Sequence, residues 1–154
     1  MPSSIISIAF KPEGIESRPP DRYARVGVDS AALIAGEGIA GDRKSGARDR
    51  HLNVMARATL DQLRLEGCRT DPGEMGEQLV LDGIDIEQLA AGTCLRLGPS
   101  AVIEVVKPRT PCSRFEQIQK MTIKTAWGRL GVMCRVVEGG PIRVGDAVAA
   151  LDNV

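Results

Sequence analysis

The chain has 154 residues, 43% hydrophobic and 26% charged, with 20 basic and 20 acidic side chains and no formal net charge. That length allows one domain with a full core, and the composition excludes a disordered or fibrous chain. Aromatic residues make up 3%, too few for a base-stacking surface, so no nucleic-acid partner is expected. Met1-Pro2-Ser3-Ser4 and the short apolar run after it lack the charged region, longer apolar region and cleavage site of a signal peptide. No apolar stretch approaches transmembrane length. The expectation is a cytoplasmic protein without a membrane partner.

In chain order, Ser4–Phe10 reads as a first strand, ended by Lys11-Pro12-Glu13-Gly14. Residues 11–23 hold three prolines and read as an exposed loop. Residues 25–34 predict one or two further strands. Gly36-Glu37-Gly38-Ile39-Ala40-Gly41-Asp42-Arg43 lacks the lysine and hydroxyl residue of a P-loop, and no strong helix follows it. It reads as a glycine-dependent turn that lets backbone approach a ligand or another strand. Residues 44–50 form a polar, basic loop leading into His51-Leu52-Asn53-Val54.

Leu60, Leu63 and the stop at Gly67 predict a helix over 56–66. Asp71-Pro72-Gly73 is a turn, and residues 79–81 are a strand ended by Asp82-Gly83. One helical turn is expected within 84–91. Residues 93–97 and 101–106 predict a hairpin across Gly98-Pro99-Ser100, and residues 131–137 and 142–149 a second one across Glu138-Gly139-Gly140-Pro141. Many short strands with a few short helices predict a mainly β, mixed α+β fold. The expected form is a small closed β-barrel with the helices packed outside it.

Cys112 occupies the most informative position. The β-branched run 101–106 precedes it, and Ser113 and Glu116 have the spacing of a capping box, which predicts a helix from Arg114. That helix carries Phe115, Ile118, Met121 and Thr122 on one side and fades near Trp127-Gly128. Pro108 and Pro111 stiffen the approach, while Lys107, Arg109 and Arg114 surround the thiol with positive charge. A helix start and nearby cations favour thiolate, the form that acts as nucleophile and metal ligand. The alternative is a small residue closing a tight corner. Cys94 and Cys134 lie in apolar runs and are expected in the core, and Cys68 carries no signal. Disulfides are not expected in a reducing compartment. With no C-x-x-C pair and one histidine, neither is a structural zinc site.

The charge is uneven. Residues 43–57 hold five basic residues against one acid, residues 107–129 six against one, and residues 58–88 eight acids against two bases. Two basic segments in a neutral chain suggest a local anion site.

Gly38-Ile39-Ala40-Gly41-Asp42-Arg43, then Arg50-His51-Leu52-Asn53, then Pro72-Gly73-Glu74-Met75-Gly76-Glu77-Gln78-Leu79 resemble the first half of a MOSC domain. Gly83-Ile84-Asp85-Ile86-Glu87-Gln88-Leu89-Ala90-Ala91-Gly92, Pro111-Cys112 and Gly139-Gly140-Pro141-Ile142-Arg143-Val144-Gly145-Asp146 resemble the second half. The ordered set covers nearly the whole chain. Gln78 departs from the pattern, which has asparagine there.

The resemblance implies a single domain over residues 1–154, with a barrel of the kind shared with the barrel domain of pyruvate kinase. It implies a molybdenum cofactor, molybdopterin, with Cys112 either ligating the metal or carrying sulfur as a persulfide. Arg50, His51, Asn53, Glu77, Lys107, Arg109 and Arg114 are the candidate cofactor-binding residues. The partner is then a cysteine desulfurase or an electron-donating reductase, because no flavin or iron–sulfur pattern is visible in the sequence. Some relatives reduce N-hydroxylated compounds, and a barrel that only binds an anion or a protein is the remaining alternative. Pyridoxal phosphate is not expected in this chain, where no lysine context supports a Schiff base.

Overall fold

Short apolar runs set the strands, and a computed structural model describes residues 2–14, 19–42 and 51–151. The elements are β1 (Ser4–Phe10), β2 (Val26–Val28), β3 (Ser30–Ile34), β4 (Gly38–Ile39), β5 (Leu52–Ala56), α1 (Arg57–Leu65) and β6 (Leu79–Asp82). A single 3-10 turn (Ile86–Gln88) follows, then β7 (Cys94–Leu97), β8 (Ala101–Pro108), α2 (Ser113–Gln119) and α3 (Ile123–Ala126). The last three strands are β9 (Val132–Glu138), β10 (Gly140–Arg143) and β11 (Val148–Leu151). The fold is mainly β with three helices. An eight-stranded sheet has the order β11-β7-β8-β9-β5-β6-β1-β2, and a three-stranded sheet has the order β10-β3-β4. β5 and β6 are parallel, with α1 in the connection between them, as a parallel pair requires a crossover.

β5 is buried at all five positions because both of its faces are covered. Leu52, Val54 and Ala56 join an inner core with Ile5, Leu79, Leu95 and Ile103, to which the smaller sheet adds Leu33, Ile39 and Ile142. Met55 points the other way, into an outer core with Leu60 and Leu63 of α1, Val80, and Phe115 of α2. Each fully buried side chain of this size contributes about 1.5–3 kcal/mol. The outer core fixes α2, and α2 fixes the position of Cys112.

Several expectations are corrected. The sheets are not closed into a barrel. The free edge of β1 is divided: Ile8, Ala9 and Phe10 pair with β2, while Ser4 meets Ala147 at one bridge. Around that bridge a short set of bonds joins the start of the chain to the β11 end: Ile5 N–H to the Asp146 carbonyl at 2.9 Å, Gly145 N–H to the Ile5 carbonyl at 2.7 Å and Val148 N–H to the Ser3 carbonyl at 3.0 Å. A closed barrel needs a continuous ladder at this place, and β2 occupies half of it. The second hairpin is also absent: β9 lies between β8 and β5, β10 pairs with β3, and β11 pairs with β7. A Cβ at Gly139 would lie 2.6 Å from the Leu33 carbonyl oxygen, so the glycine permits the close crossing onto β3.

The capping box does not form. Cys112 itself is the N-cap residue of α2, extended at φ −131° and ψ 176°, with no side-chain cap bond. The Glu116 carboxylate accepts instead from the Ile123 N–H at 3.2 Å. Lys120 turns left-handed and ends α2, and Thr122 caps α3 by accepting from the Thr125 N–H, which divides the one expected helix into two. The loop expected to be exposed contributes buried Lys11 and Pro19. The basic loop 44–50, and with it Arg50, lies outside the described residues.

Candidate functional site

The end of β8 delivers the site. The Arg109 N–H donates to the Gly131 carbonyl at 3.0 Å, one residue past the strand, and its half-buried side chain turns inward. Its Nη1 donates to Asn53 Oδ1 at 3.0 Å and to the Met75 carbonyl at 2.7 Å. Its Nη2 donates to the Tyr23 hydroxyl oxygen at 3.3 Å. The Arg109 guanidinium carbon lies 5.7 Å from the Tyr23 ring centroid, and that of Arg114 lies 5.4 Å from it. Arg114 donates to the carbonyls of Pro19 at 3.2 Å and Arg22 at 3.1 Å. Between these arginines in the chain, Cys112 is exposed. Burial pushes the Tyr23 phenol up; Arg109 opposes the rise and negative charge on Cys112 adds to it.

Beneath the two arginines is a buried polar layer. Asn53, on β5, accepts from Arg109 and donates through Nδ2 to the Leu130 and Val132 carbonyls at 3.2 and 3.3 Å. Gln78 Oε1 accepts from the Asn53 N–H at 2.8 Å, and its Nε2 donates to Asp42 at 3.2 Å. The residue that departs from the family pattern thus ties β5 to the turn before the basic loop. Glu77 is fully buried, and its two oxygens accept from the N–H groups of Gly73 at 2.9 Å and Met75 at 3.1 Å. Burial raises its pKa, while those amides and Arg25 pull it down. Glu77 therefore shapes the turn that presents the Met75 carbonyl to Arg109. Arg25 is lowered by burial, opposed by Asp42, and its Nε and Nη1 are buried without an acceptor among the described residues. Such orphaned donors are uncommon in native interiors.

Of the candidates named from sequence, Arg109 and Arg114 meet at Tyr23, and Asn53 joins them through its bond to Arg109. Lys107 is exposed and enters none of these bonds. His51 is buried, and its Nδ1 accepts from the Val136 N–H at 2.9 Å, which leaves the ring proton on Nε2; its side chain holds β9. Among the other cysteines, Cys134 is buried and its thiol is pushed up to about 12 by burial. The Cys68 thiol is likewise raised by burial and donates to Met121 Sδ at 3.9 Å. Cys94, expected in the core, is half-exposed at the first position of β7, opposite Leu151 of the edge strand β11.

Tyr23 and Arg25 are the residues that sequence reasoning misses. The signal available is that the chain's single tyrosine stands between Arg22 and Arg25 in a proline-containing loop. A cavity of about 290 Å³ is lined by Tyr23, Arg25, Arg69 and Gly73. A larger groove of about 660 Å³, lined by Thr59, Leu81, Glu87 and Arg129, shares no residue with the cluster. Among the described residues, no group of three or more histidine, cysteine, aspartate or glutamate side chains is placed to hold a metal ion.

The MOSC domain profile matches residues 41–149. A protein named "Reductase" from Gibberella moniliformis is 38% identical over 89 residues, covering 54% of this chain and 16% of that relative's length. The crystal structure of YiiM from Geobacillus stearothermophilus superposes with a TM-score of 0.74 at 24% identity, covering 98% of this chain and 76% of that one. YiiM from Escherichia coli gives 0.71 at 20% identity over 98% and 71% of the two chains. The YUAD protein of Bacillus subtilis gives 0.73 at 17% identity over 96% and 94%. At these identities the solved structures establish a shared fold.

Proposed function

We propose that this chain, which belongs to the MOSC domain family, binds a molybdenum cofactor through Cys112 and serves a reductive reaction fed by a partner reductase. The observation that carries the reading is the corner itself: an exposed thiol at the start of α2, flanked by two arginines that share one aromatic ring. Thiolate suits a soft metal, and guanidinium groups suit the phosphate of a pterin. The N–H groups of Arg25 that find no acceptor among the described residues add support, since an anionic ligand is one source of an acceptor. The relative named "Reductase" favours redox chemistry over simple storage.

When bound, the molybdenum cofactor supplies a metal that exchanges two electrons with a substrate, for which N-hydroxylated compounds are the class we favour. The protein's part is binding and placement. Cys112 would hold the metal and Arg109 and Arg114 would meet its anionic portion, with exposed Lys107 a further cation in the same segment. Asn53 and Glu77 act through Arg109 by fixing its bonds. His51 acts from behind, holding the strand on which Asn53's partners Leu130 and Val132 lie or border. A second reading, a carrier of sulfur from a cysteine desulfurase, is favoured by the exposure of Cys112, which leaves it open to another protein.

The test is anaerobic purification from a cofactor-competent host, with metal analysis and intact mass taken on the same sample of wild type and Cys112→Ser. Molybdenum in the wild type and its loss from the variant is the expected result. One added sulfur atom without metal establishes the carrier instead. A bare wild-type protein contradicts both.

A further inference from the structure

Arg109 and Arg114 carry like charges, yet both guanidinium groups lie within 6 Å of one ring: 5.7 and 5.4 Å from the Tyr23 centroid. The negative face of an aromatic ring offsets the repulsion between two such cations. Tyr23 also fixes Arg109 through its hydroxyl oxygen, while Arg114 binds the carbonyls of the same segment at Pro19 and Arg22. Without the ring, Arg109 keeps its bonds to Asn53 and Met75. Arg114 loses its aromatic contact and keeps only its carbonyl bonds, on a segment that Arg69 still holds at the Asp21 carbonyl at 2.8 Å.

The surroundings are built for the ring. A Cβ at Gly76 would lie 3.0 Å from Tyr23 Cε1 and Cζ and 2.9 Å from Arg109 Nη2, so this position has no room for a side chain. Ala24, immediately after Tyr23, has φ +56°. A left-handed alanine is unfavourable, and such strain collects at functional positions.

We infer that Tyr23 is a positioning residue for the Cys112 site, its ring holding Arg109 and Arg114 beside the thiol so that an anionic group meets both cations. This rests on the reading of Cys112 as the working thiol. It assigns a role to a residue outside every motif that marks the family in this sequence.

The experiment compares wild type, Tyr23→Leu and Tyr23→Phe in the full chain. The rates at which Cys112 reacts with an anionic and with a neutral aromatic disulfide are followed by peptide mass at one pH and low salt. Their ratio cancels the thiol's intrinsic reactivity and reports the local field, which a purely structural role for Tyr23 would leave unmoved. The ratio should fall about threefold in Tyr23→Leu and stay within about twofold in Tyr23→Phe, which keeps the ring. An unchanged ratio in Tyr23→Leu overturns the inference, and so does an equal fall in Tyr23→Phe, which would assign the effect to the hydroxyl. If Tyr23→Leu does not fold, Tyr23→Met fills the space without an aromatic face and is judged by the same two outcomes. A wild-type ratio no higher than that of free cysteine removes the cationic site itself, whatever Tyr23 does.

Discussion

Cys134, within β9, and Cys112, past the end of its neighbour β8, meet opposite surroundings. Cys134 lies mid-strand in β9, opposite Leu52 and Val105, fully buried, and burial pushes its thiol up to about 12. Cys112 comes after β8 has ended, exposed, with Arg109 on one side and Arg114 on the other. The difference is made where the chain leaves the sheet. The ladder runs through Pro108, paired with Val132, to the Arg109 N–H bond on Gly131 and then ends. Pro111 stiffens the exit, and the exposed thiol comes before the outer core takes hold of Phe115. Mid-strand in β9 the cysteine becomes packing material, and after the end of β8 it is left open to solvent.

The comparison breaks most severely if the outer core is removed. Phe115 is fully buried beside α1's Leu60 and Leu63, so Phe115→Ala should cost about 3–5 kcal/mol in denaturant unfolding and abolish selective labelling of Cys112. A loss below about 1 kcal/mol would mean that something else holds the corner. Next comes Glu77→Ala, which leaves the Gly73 and Met75 amides without their acceptor and should cost about 2–4 kcal/mol. Metal retention should fall with it, because the Met75 carbonyl no longer fixes Arg109.

Exchanging sulfur for oxygen sharpens the contrast. Cys134→Ser places a hydroxyl in an apolar interior and should cost about 1–3 kcal/mol, while Cys112→Ser should change stability by less than about 0.5 kcal/mol and remove cofactor binding. Equal costs at the two positions would erase the distinction. The smallest effect is expected at Glu66, whose carboxylate is held at about 2 instead of 4.5, first by Arg129 and then by Gln62. Its folded value lies below its unfolded one, so the contribution is full above about pH 4.5 and is lost as pH falls towards 2. Glu66→Gln should flatten the unfolding midpoint across that window and leave Cys112 labelling unchanged. An identical pH slope in the variant would show that this exposed pair contributes nothing.

Local signals in the sequence make much of this legible. Alternation and β-branching mark β1 and β8, Leu60 and Leu63 mark α1, and Gly98-Pro99-Ser100 marks the β7–β8 hairpin. Long-range competition decides the rest. Glu138-Gly139-Gly140-Pro141 reads as a hairpin turn, but the space beside Leu33 draws β10 onto β3. Alternation across many strands reads as a barrel, but β2 takes the edge that closure needs. At the site, Cys112, Arg109 and Arg114 are legible from charge and spacing. Asn53 is legible through the resemblance, while its bond to Arg109 is a product of the β5–β9 register. Tyr23 escapes because a proline-containing polar loop gives no period from which burial can be read.

The most direct measurement is alkylation of native protein prepared with and without the molybdenum cofactor, read by peptide mass at each cysteine. The account predicts that Cys112 is modified in the cofactor-free protein and blocked in the loaded protein, while Cys134 reacts in neither until denaturant is added. Equal modification of Cys112 in both preparations, with molybdenum bound in one of them, would contradict it.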